Sequence, residues 1–494
     1  MESRDETLSG FFNDWKVAMN RRSFLSLMCQ APVAFSFANA TAKTPAAKPN
    51  VIVILSDDAG YADFGFTTNK LIPTPNVDRL ARNGIVFTQG YVSASTCTPS
   101  RMGLMTGRYQ QRFGAECNVP TIPTPGYTKE DLGLDLSQPT MGDAMRDQGY
   151  RTIAIGKWHL GELPKYHPNR RGFDEFYGFL GGSRSYWPLK NPAVGHAILH
   201  NDKPVDEEKE ITYLTDDFTD AALEFVDRNR RQPFFMYLVY NAVHGPKHAK
   251  EEDIEQCGQI SEKGRKLVAA MTRSMDHNIG RLLNKLDALK LTENTLIVFV
   301  NDNGGPQDKS YSNSPLRGFK GTYWEGGIRV PFVISWPAKL PKGSKYAHPV
   351  SSLDLLPTCL AAGGVKVPPD WKIDGVNLLP FIQGDSSNAP HETLFWRFWR
   401  VSMARRGPWK LIRVADDPLQ AERKLILPLM LFNIDTDPAE TKNLAKEYPQ
   451  RTQQLLAALK SWETTLAKPR WYDGSNWKHW QNESVKNHRM HQDG

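Results

Sequence analysis

Five residues in a row, Val51-Ile52-Val53-Ile54-Leu55, are apolar and mostly β-branched, with no polar residue at alternate positions. A strand with one wet face alternates. One buried on both faces does not, and such strands belong to parallel sheets covered by helices on each side. Similar runs recur at Thr152-Ile153-Ala154-Ile155, Phe234-Phe235-Met236-Tyr237-Leu238-Val239, Leu296-Ile297-Val298-Phe299-Val300 and Val330-Pro331-Phe332-Val333-Ile334. Helical patterns lie between them, the clearest being Val268, Met271, Met275, Ile279, Leu282, Leu283 and Leu286, spaced by threes and fours. Strands alternating with helices predict an α/β fold, with a large domain whose mixed, mainly parallel sheet is flanked by helices. In such sheets binding residues collect at the carboxyl ends of strands. Asp57 and Asp58 follow the first run, Lys157 and His159 the second, His244 the third, and Asp302 and Asn303 the fourth.

After about residue 385 the character changes. Trp396-Arg397-Phe398-Trp399, Val401-Ser402-Met403-Ala404 and Trp409-Lys410-Leu411-Ile412 read as short strands, and residues 452–466 as a helix packed on them. They predict a small α+β C-terminal domain with an antiparallel sheet. At the other end, Asn20-Arg21-Arg22-Ser23-Phe24-Leu25 sets paired arginines before an apolar stretch that closes in Ala38-Asn39-Ala40. Small residues there suit a signal peptidase, and the paired arginines resemble a twin-arginine export signal. The competing reading is an amphipathic N-terminal helix. A membrane span is disfavoured, because Cys29, Gln30 and Pro32 interrupt a stretch already short for crossing. The expected organisation is therefore an export signal at 1–40, a linker at 41–48, the large domain at 49–385, the small domain at 386–471 and a polar, aromatic tail at 472–494. The expected location is periplasmic or secreted.

Composition narrows the class. Of 494 residues, 40% are hydrophobic and 23% charged, which excludes a disordered or fibrous chain. No apolar run approaches the ~20 residues a spanning helix needs. Lys and Arg exceed Asp and Glu by 61 to 54, a net +7. That excess is too thin for a nucleic-acid binder of this length and suits an affinity for small anions. Five cysteines in so long a chain do not make a disulfide framework.

The decisive stretch is Cys97-Thr98-Pro99-Ser100-Arg101-Met102-Gly103-Leu104-Met105-Thr106-Gly107. It matches the sulfatase signature Cys-x-Pro-Ser-Arg with a downstream Thr-Gly. With the flanking clusters, the chain resembles the formylglycine-dependent (type I, arylsulfatase-like) sulfatases of the alkaline-phosphatase-like superfamily, over roughly residues 49–466. The resemblance implies that a formylglycine-generating enzyme oxidises Cys97 to formylglycine, which hydrates to a geminal diol. One hydroxyl then attacks sulfur and the other expels sulfate. A phosphatase with a cysteine nucleophile needs its arginine six positions after the cysteine, whereas Arg101 is four after Cys97.

The same resemblance implies that Asp57, Asp58, Asp302 and Asn303 bind one metal ion, with position 97 adding a further oxygen. All are oxygen donors, which suits a hard cation such as Ca²⁺. Asn303 is the discriminating residue, since related two-zinc phosphatases place a histidine there. Asp63 is expected to be a structural loop residue. A sulfate ester stays anionic at physiological pH, and the matching cations are Arg101, Lys157 and Lys320. His159 is implied as the base that takes a proton from the diol. His244, with Lys320, is implied to protonate or stabilise the leaving alcohol.

The substrate is less legible. Residues 181–200 include Arg184, Tyr186, Trp187 and His196, and with His248 they read either as a sugar subsite or as a packed surface loop. The aromatic cluster around Trp396 and that from Trp471 to Trp480 read as a carbohydrate platform or as core. The expected substrate is a sulfated carbohydrate, or a simple aryl sulfate. Two alternatives stand beside it: a phosphonate monoester or phosphodiester hydrolase of the same superfamily, and an unconverted protein that only binds sulfated glycans.

Overall fold

The structure is a computed structural model that describes residues 48–471, apart from 68, 70, 120–122, 124, 125, 399 and 415–427. The expected export signal, nearly all of the linker and the C-terminal tail lie outside the described residues. In chain order the strands are β1 (Asn50–Ser56), β2 (Ile85–Phe87), β3 (Gly90–Tyr91), β4 (Arg151–Lys157), β5 (Glu175–Phe179), β6 (Leu199–His200), β7 (Lys203–Pro204), β8 (Phe234–Val239), β9 (Thr295–Asn301), β10 (Phe332–Ser335), β11 (Ser344–Tyr346), β12 (Val350–Ser351), β13 (Leu394–Phe398), β14 (Val401–Arg406), β15 (Trp409–Val414) and β16 (Met430–Asn433). One sheet of ten runs in the order β11, β2, β10, β9, β1, β8, β4, β5, β6, β7. Its centre, from β9 through β1, β8 and β4 to β5, is parallel.

The unalternating runs have the expected cause. Val51, Val53 and Leu55 enter one core with Met102 and Leu356, while Ile52 and Ile54 enter the other with Phe218 and Met271. Each strand thus feeds two cores, and each fully buried Val, Ile or Leu contributes about 1.5–3 kcal/mol from whichever face it occupies. The helix Lys263–Ala288 carries the predicted stripe into the second core. The fifth apolar run behaves differently: β10 pairs antiparallel with both β9 and β2. No crossover helix is then needed, and the long loop from residue 302 to 331 leaves and re-enters at one end of the sheet. That is the end where β1, β4, β8 and β9 present their polar residues.

The small sheet is β13, β14, β15, β16, antiparallel throughout. The expected C-terminal helix is Pro449–Glu463, and its Leu455, Leu459 and Trp462 cover the outer face with Ala404 and Leu411. The inner face, with Trp396, Met403, Ile412 and Phe432, joins the same core as β1 and β9. Trp396 is core rather than a carbohydrate platform, and so is the buried Trp471. β16 is not among the expected strands, although the apolar run Leu429-Met430-Leu431-Phe432 marks it in the sequence.

Candidate active site

Strand register sets the site before any side chain does. Ser56 pairs with Asn301, and Val239 pairs with both Leu55 and Gly156, so β9, β1, β8 and β4 end level. Asn301, not singled out from the sequence, stitches the ends together. Its Oδ1 accepts from Ser56 Oγ at 2.8 Å, and its Nδ2 donates to the Ala59 carbonyl at 2.6 Å. Asp58 and His159 both adopt left-handed backbone, φ 63° and 58°, which is uncommon outside glycine and concentrates at functional sites.

Cys97 opens the helix Cys97–Thr106, where unpaired amides point outward and favour an anion. Pro99 falls within the first turn, where its missing N–H costs no helical bond. Arg101 lies one turn on, on the same face as Cys97. Gly107, at φ 63°, ends the helix and explains the downstream Thr-Gly.

The cations and carboxylates interlock. Lys157 Nζ meets Asp57 Oδ2 at 2.5 Å, and Lys320 Nζ meets Asp58 Oδ1 at 2.6 Å. Arg101 donates from Nε and Nη2 to Asp302 Oδ2 at 3.0 and 2.8 Å, and from Nη1 to the Lys157 carbonyl at 2.9 Å. Cys97 Sγ lies 3.3 Å from Lys320 Nζ and 3.7 Å from Asp57 Oδ1. His244 Nε2 is 3.5 Å from Asp58 Oδ2, while its Nδ1 faces the Gly245 carbonyl at 2.6 Å. The His159 carbonyl accepts from Thr98 Oγ1 at 3.1 Å, and its ring Nδ1 is buried without a partner among the described residues.

Charge states follow from these contacts. Burial opposes ionisation of Asp57 and Asp58, yet Lys157 on the one and Lys320 on the other, each helped by His244, hold both below the usual carboxylate range. Asp302 goes the other way, pushed up by burial and by the Asp57 charge against the pull of Arg101. Burial alone would discharge Lys320, but Asp58 holds it well above an ordinary lysine. Burial, joined by Lys157 and Arg101, drives His159 well below the usual histidine range; it also lowers His244, against Asp58 and Asp57. Both rings are therefore neutral near pH 7. Burial pushes the Cys97 thiol up to about 12, so an unmodified thiol there is a poor nucleophile.

Ligand atoms of Asp57, Asp58, Cys97 and His244 lie within 4.8 Å of one another and can hold a metal ion. Asn303 Nδ2 donates to Asp58 Oδ1 at 2.8 Å, which leaves Asn303 Oδ1 buried and unpartnered. An orphaned acceptor beside two carboxylates suits a cation. Asp302 is placed differently from the other expected ligands, with Oδ2 on Arg101 and Oδ1 accepting from the Asp58 amide at 3.3 Å. Asp63 is structural, as expected, and its carboxylate is held by Arg265.

The expected sugar subsite needs correction. Arg184 is buried in a two-pronged ion pair with Glu207, 2.8 and 2.7 Å, and cannot reach a substrate. Tyr186 is also buried, and its hydroxyl donates to the Asn241 and His244 carbonyls at 2.5 and 2.9 Å. It props the turn carrying His244 instead of stacking on a sugar. Trp187, packed on Tyr213, remains exposed, as does His196, while His248 faces Ser185 Oγ. A hollow of about 560 Å³ lies on the loop that precedes Lys320, and its lining includes Gln307, Asp308, Lys309, Tyr311 and Phe319.

Comparison with known proteins agrees with this geometry. Residues 49–365 match the sequence profile of the Sulfatase family, and residues 319–465 that of "N-sulphoglucosamine sulphohydrolase, C-terminal". The chain is 30% identical to the steryl-sulfatase of Mus musculus, covering 83% of this chain and 81% of that one. It is 31% identical to the N-acetylgalactosamine-6-sulfatase of Homo sapiens, covering 85% and 86%. The crystal structure of Ps i-CgsB in complex with k-i-k-neocarrahexaose superposes with a TM-score of 0.78 at 36% identity, covering 89% of this chain and 98% of that one. With a fold of the alkaline-phosphatase type and a cysteine, three cations and three aspartates gathered at its strand ends, this chain belongs to the sulfatase family and is a sulfuric ester hydrolase.

Proposed function

We propose that the enzyme removes sulfate from a sulfated carbohydrate, using a formylglycine made from Cys97 and one calcium ion held by Asp57, Asp58, Asp302 and Asn303. The observation that carries the proposal is position 97 itself. It sits at a helix N-terminus, against Lys320 and Asp57, and Sγ stands where a hydroxyl oxygen of the hydrated aldehyde would lie. A hydrated formylglycine supplies two hydroxyls on one carbon, and calcium supplies a charge that polarises sulfate oxygens. Arg101 and Lys157 bind and orient the anion. His159, neutral, is fit to accept a proton. Lys320 remains an ammonium and is the charged donor at the leaving oxygen. Burial lowers His244, and the bound anionic ester shifts it toward the protonated form.

The saccharide reading is supported by the N-acetylgalactosamine-6-sulfatase and neocarrahexaose-bound relatives, and by exposed Trp187 and the hollow lined by Tyr311 and Phe319. Conversion requires a formylglycine-generating enzyme, and the paired Arg21 and Arg22 support export to the periplasm or beyond. Mass analysis of the tryptic peptide containing residue 97 tests the modification, with a cysteine mass in active enzyme counting against it. A panel of sulfated sugars tests the substrate: turnover of aryl sulfates alone would sink the carbohydrate reading.

A further inference from the structure

Lys320 belongs to a segment whose backbone is tied to the rest of the site. The Lys320 amide donates to the Gly305 carbonyl at 3.0 Å, Gly321 N to the Ser95 carbonyl at 2.8 Å, and Gly304 N to the Gly327 carbonyl at 3.1 Å. Residues 317–329 therefore touch both the turn that carries Asn303 and the turn that leads into Cys97. The approach is close: a Cβ on Gly304 would stand 1.8 Å from the Gly326 carbonyl oxygen.

What anchors this segment lies in the other sheet. Glu325 is fully buried, and its carboxylate accepts from Tyr91 Oη at 2.6 Å and from Lys410 Nζ at 3.0 Å. Lys410, on β15 and equally buried, also meets Glu440 Oε1 at 2.8 Å. Glu440 Oε2 closes the ring by accepting the Glu325 amide at 2.7 Å. Arg317 donates to the Glu440 carbonyl at 3.1 Å and lies 3.8 Å over the Trp324 ring.

Adhesion between the sheets does not need these charges. Trp324 on Phe432 and Tyr323 on Phe398 already bury apolar surface across the junction. Apolar packing is tolerant of small slides, whereas a ring of short charged bonds holds one geometry, at a desolvation cost that apolar residues of similar size would avoid. Glu440 also holds a left-handed backbone, φ 54°, although it is not glycine. Burial and neighbouring Glu325, against Lys410, push its carboxyl up to about 7.

We infer that Lys410 and Glu440 are positioning residues: through Glu325 they hold the loop that sets Lys320 against the leaving oxygen. The inference rests on the reading of Lys320 given above. Its signature is selectivity for the leaving group. A nitrophenolate leaves with little help, whereas a sugar alkoxide needs the cation, and a misplacement of about 1 Å can cost on the order of a hundredfold.

The test compares Lys410→Met, Glu440→Gln, Lys320→Ala and Leu411→Ala on 4-nitrophenyl sulfate and on a sulfated monosaccharide, with rates normalised to formylglycine content and folded protein. Leu411 is on the same strand but packs on the outer helix, away from the ring. The expected result is a kcat loss on the sugar sulfate about tenfold or more larger than on the aryl sulfate for Lys410→Met, Glu440→Gln and Lys320→Ala. Leu411→Ala is expected to lose stability without that selectivity. Glu440→Gln keeps the Glu325–Lys410 pair and serves if Lys410→Met does not fold. Selectivity in Lys320→Ala but not in the two anchor variants overturns the anchoring alone. Equal losses on both substrates in all variants overturn the Lys320 reading and the anchoring together. Equal selectivity in Leu411→Ala reduces the ring to a general stability effect and overturns the anchoring.

Discussion

Replacing Asn303 by alanine separates the metal site from the fold. Asn303 Oδ1 is buried without a partner, and an unsatisfied buried acceptor costs about 1–3 kcal/mol. Alanine removes that cost, but it also removes the 2.8 Å bond from Nδ2 to Asp58, worth about 1.5–3 kcal/mol for a charged acceptor. Without metal, the variant should therefore lie within about 1–2 kcal/mol of the parent. Calcium changes the comparison. Three carboxylates, Asp57, Asp58 and Asp302, are balanced by Arg101, Lys157 and Lys320, so a bound divalent ion leaves a positive surplus that an anionic ester partly neutralises. At a calcium concentration a hundred times its Kd, the parent gains about 2.7 kcal/mol. If losing an oxygen ligand weakens binding by about a hundredfold, the variant gains about 0.4 kcal/mol at that concentration. For a chain of this size each kcal/mol moves Tm by about 2 °C or less. The assay is a thermal unfolding series after chelation, titrated with calcium and separately with magnesium and zinc, read beside sulfate release. The reasoning is refuted if chelation changes neither Tm nor turnover in the parent, if Asn303→Ala keeps the full calcium response, or if zinc stabilises better than calcium.

Four further outcomes are expected. Cys97→Ala should abolish turnover while leaving Tm nearly unchanged, because the polar contacts of Sγ among the described residues are long, 3.3 and 3.7 Å; substantial residual activity would show that another group is the nucleophile. Arg184→Ala should cost about 3–5 kcal/mol of stability, by stranding Glu207, and leave KM for an aryl sulfate unchanged in the folded fraction, whereas Trp187→Ala should raise KM for an oligosaccharide with little loss of stability. His391, half-buried against Asp354 at 2.8 Å, is held above the ordinary histidine range because the carboxylate outweighs burial. Its raised folded pKa means that its contribution is fully present below the unfolded pKa of about 6.5 and is lost as pH rises through the folded value. Denaturant unfolding of His391→Asn should therefore show a larger deficit at acid pH than at alkaline pH, and an equal deficit at both would contradict the pairing.

Where sequence reading succeeded, the signal was local. The central strand runs and the stripe from Val268 to Leu286 report burial within one element. Residues 97–107 carry the nucleophile, its arginine one turn on, and the helix stop in a single short stretch. Where it failed, the deciding contacts were remote. β10 reads like its neighbours because an apolar run records two covered faces and says nothing of direction. Arg184 and Tyr186 looked available, yet Glu207 and the His244 carbonyl claim them from 23 and 58 residues away. Lys410 and Glu440 gave no cue at all, since their partner Glu325 is 85 and 115 residues distant.

By itself, the sequence determined which chemical groups stand at strand ends: aspartates, lysines and histidines at the end of apolar runs, and a cysteine at the start of a helix. Strand periodicity and helical spacing suffice for that, because each depends on neighbours a few residues away. Only the tertiary structure decided that β9, β1, β8 and β4 end level, that Lys157 and Lys320 lie against Asp57 and Asp58, and that a buried lysine of the small sheet holds the loop of Lys320. The reason is range: a carboxylate's partner and charge state depend on what else is buried beside it, and register and packing bring those groups together from across the chain.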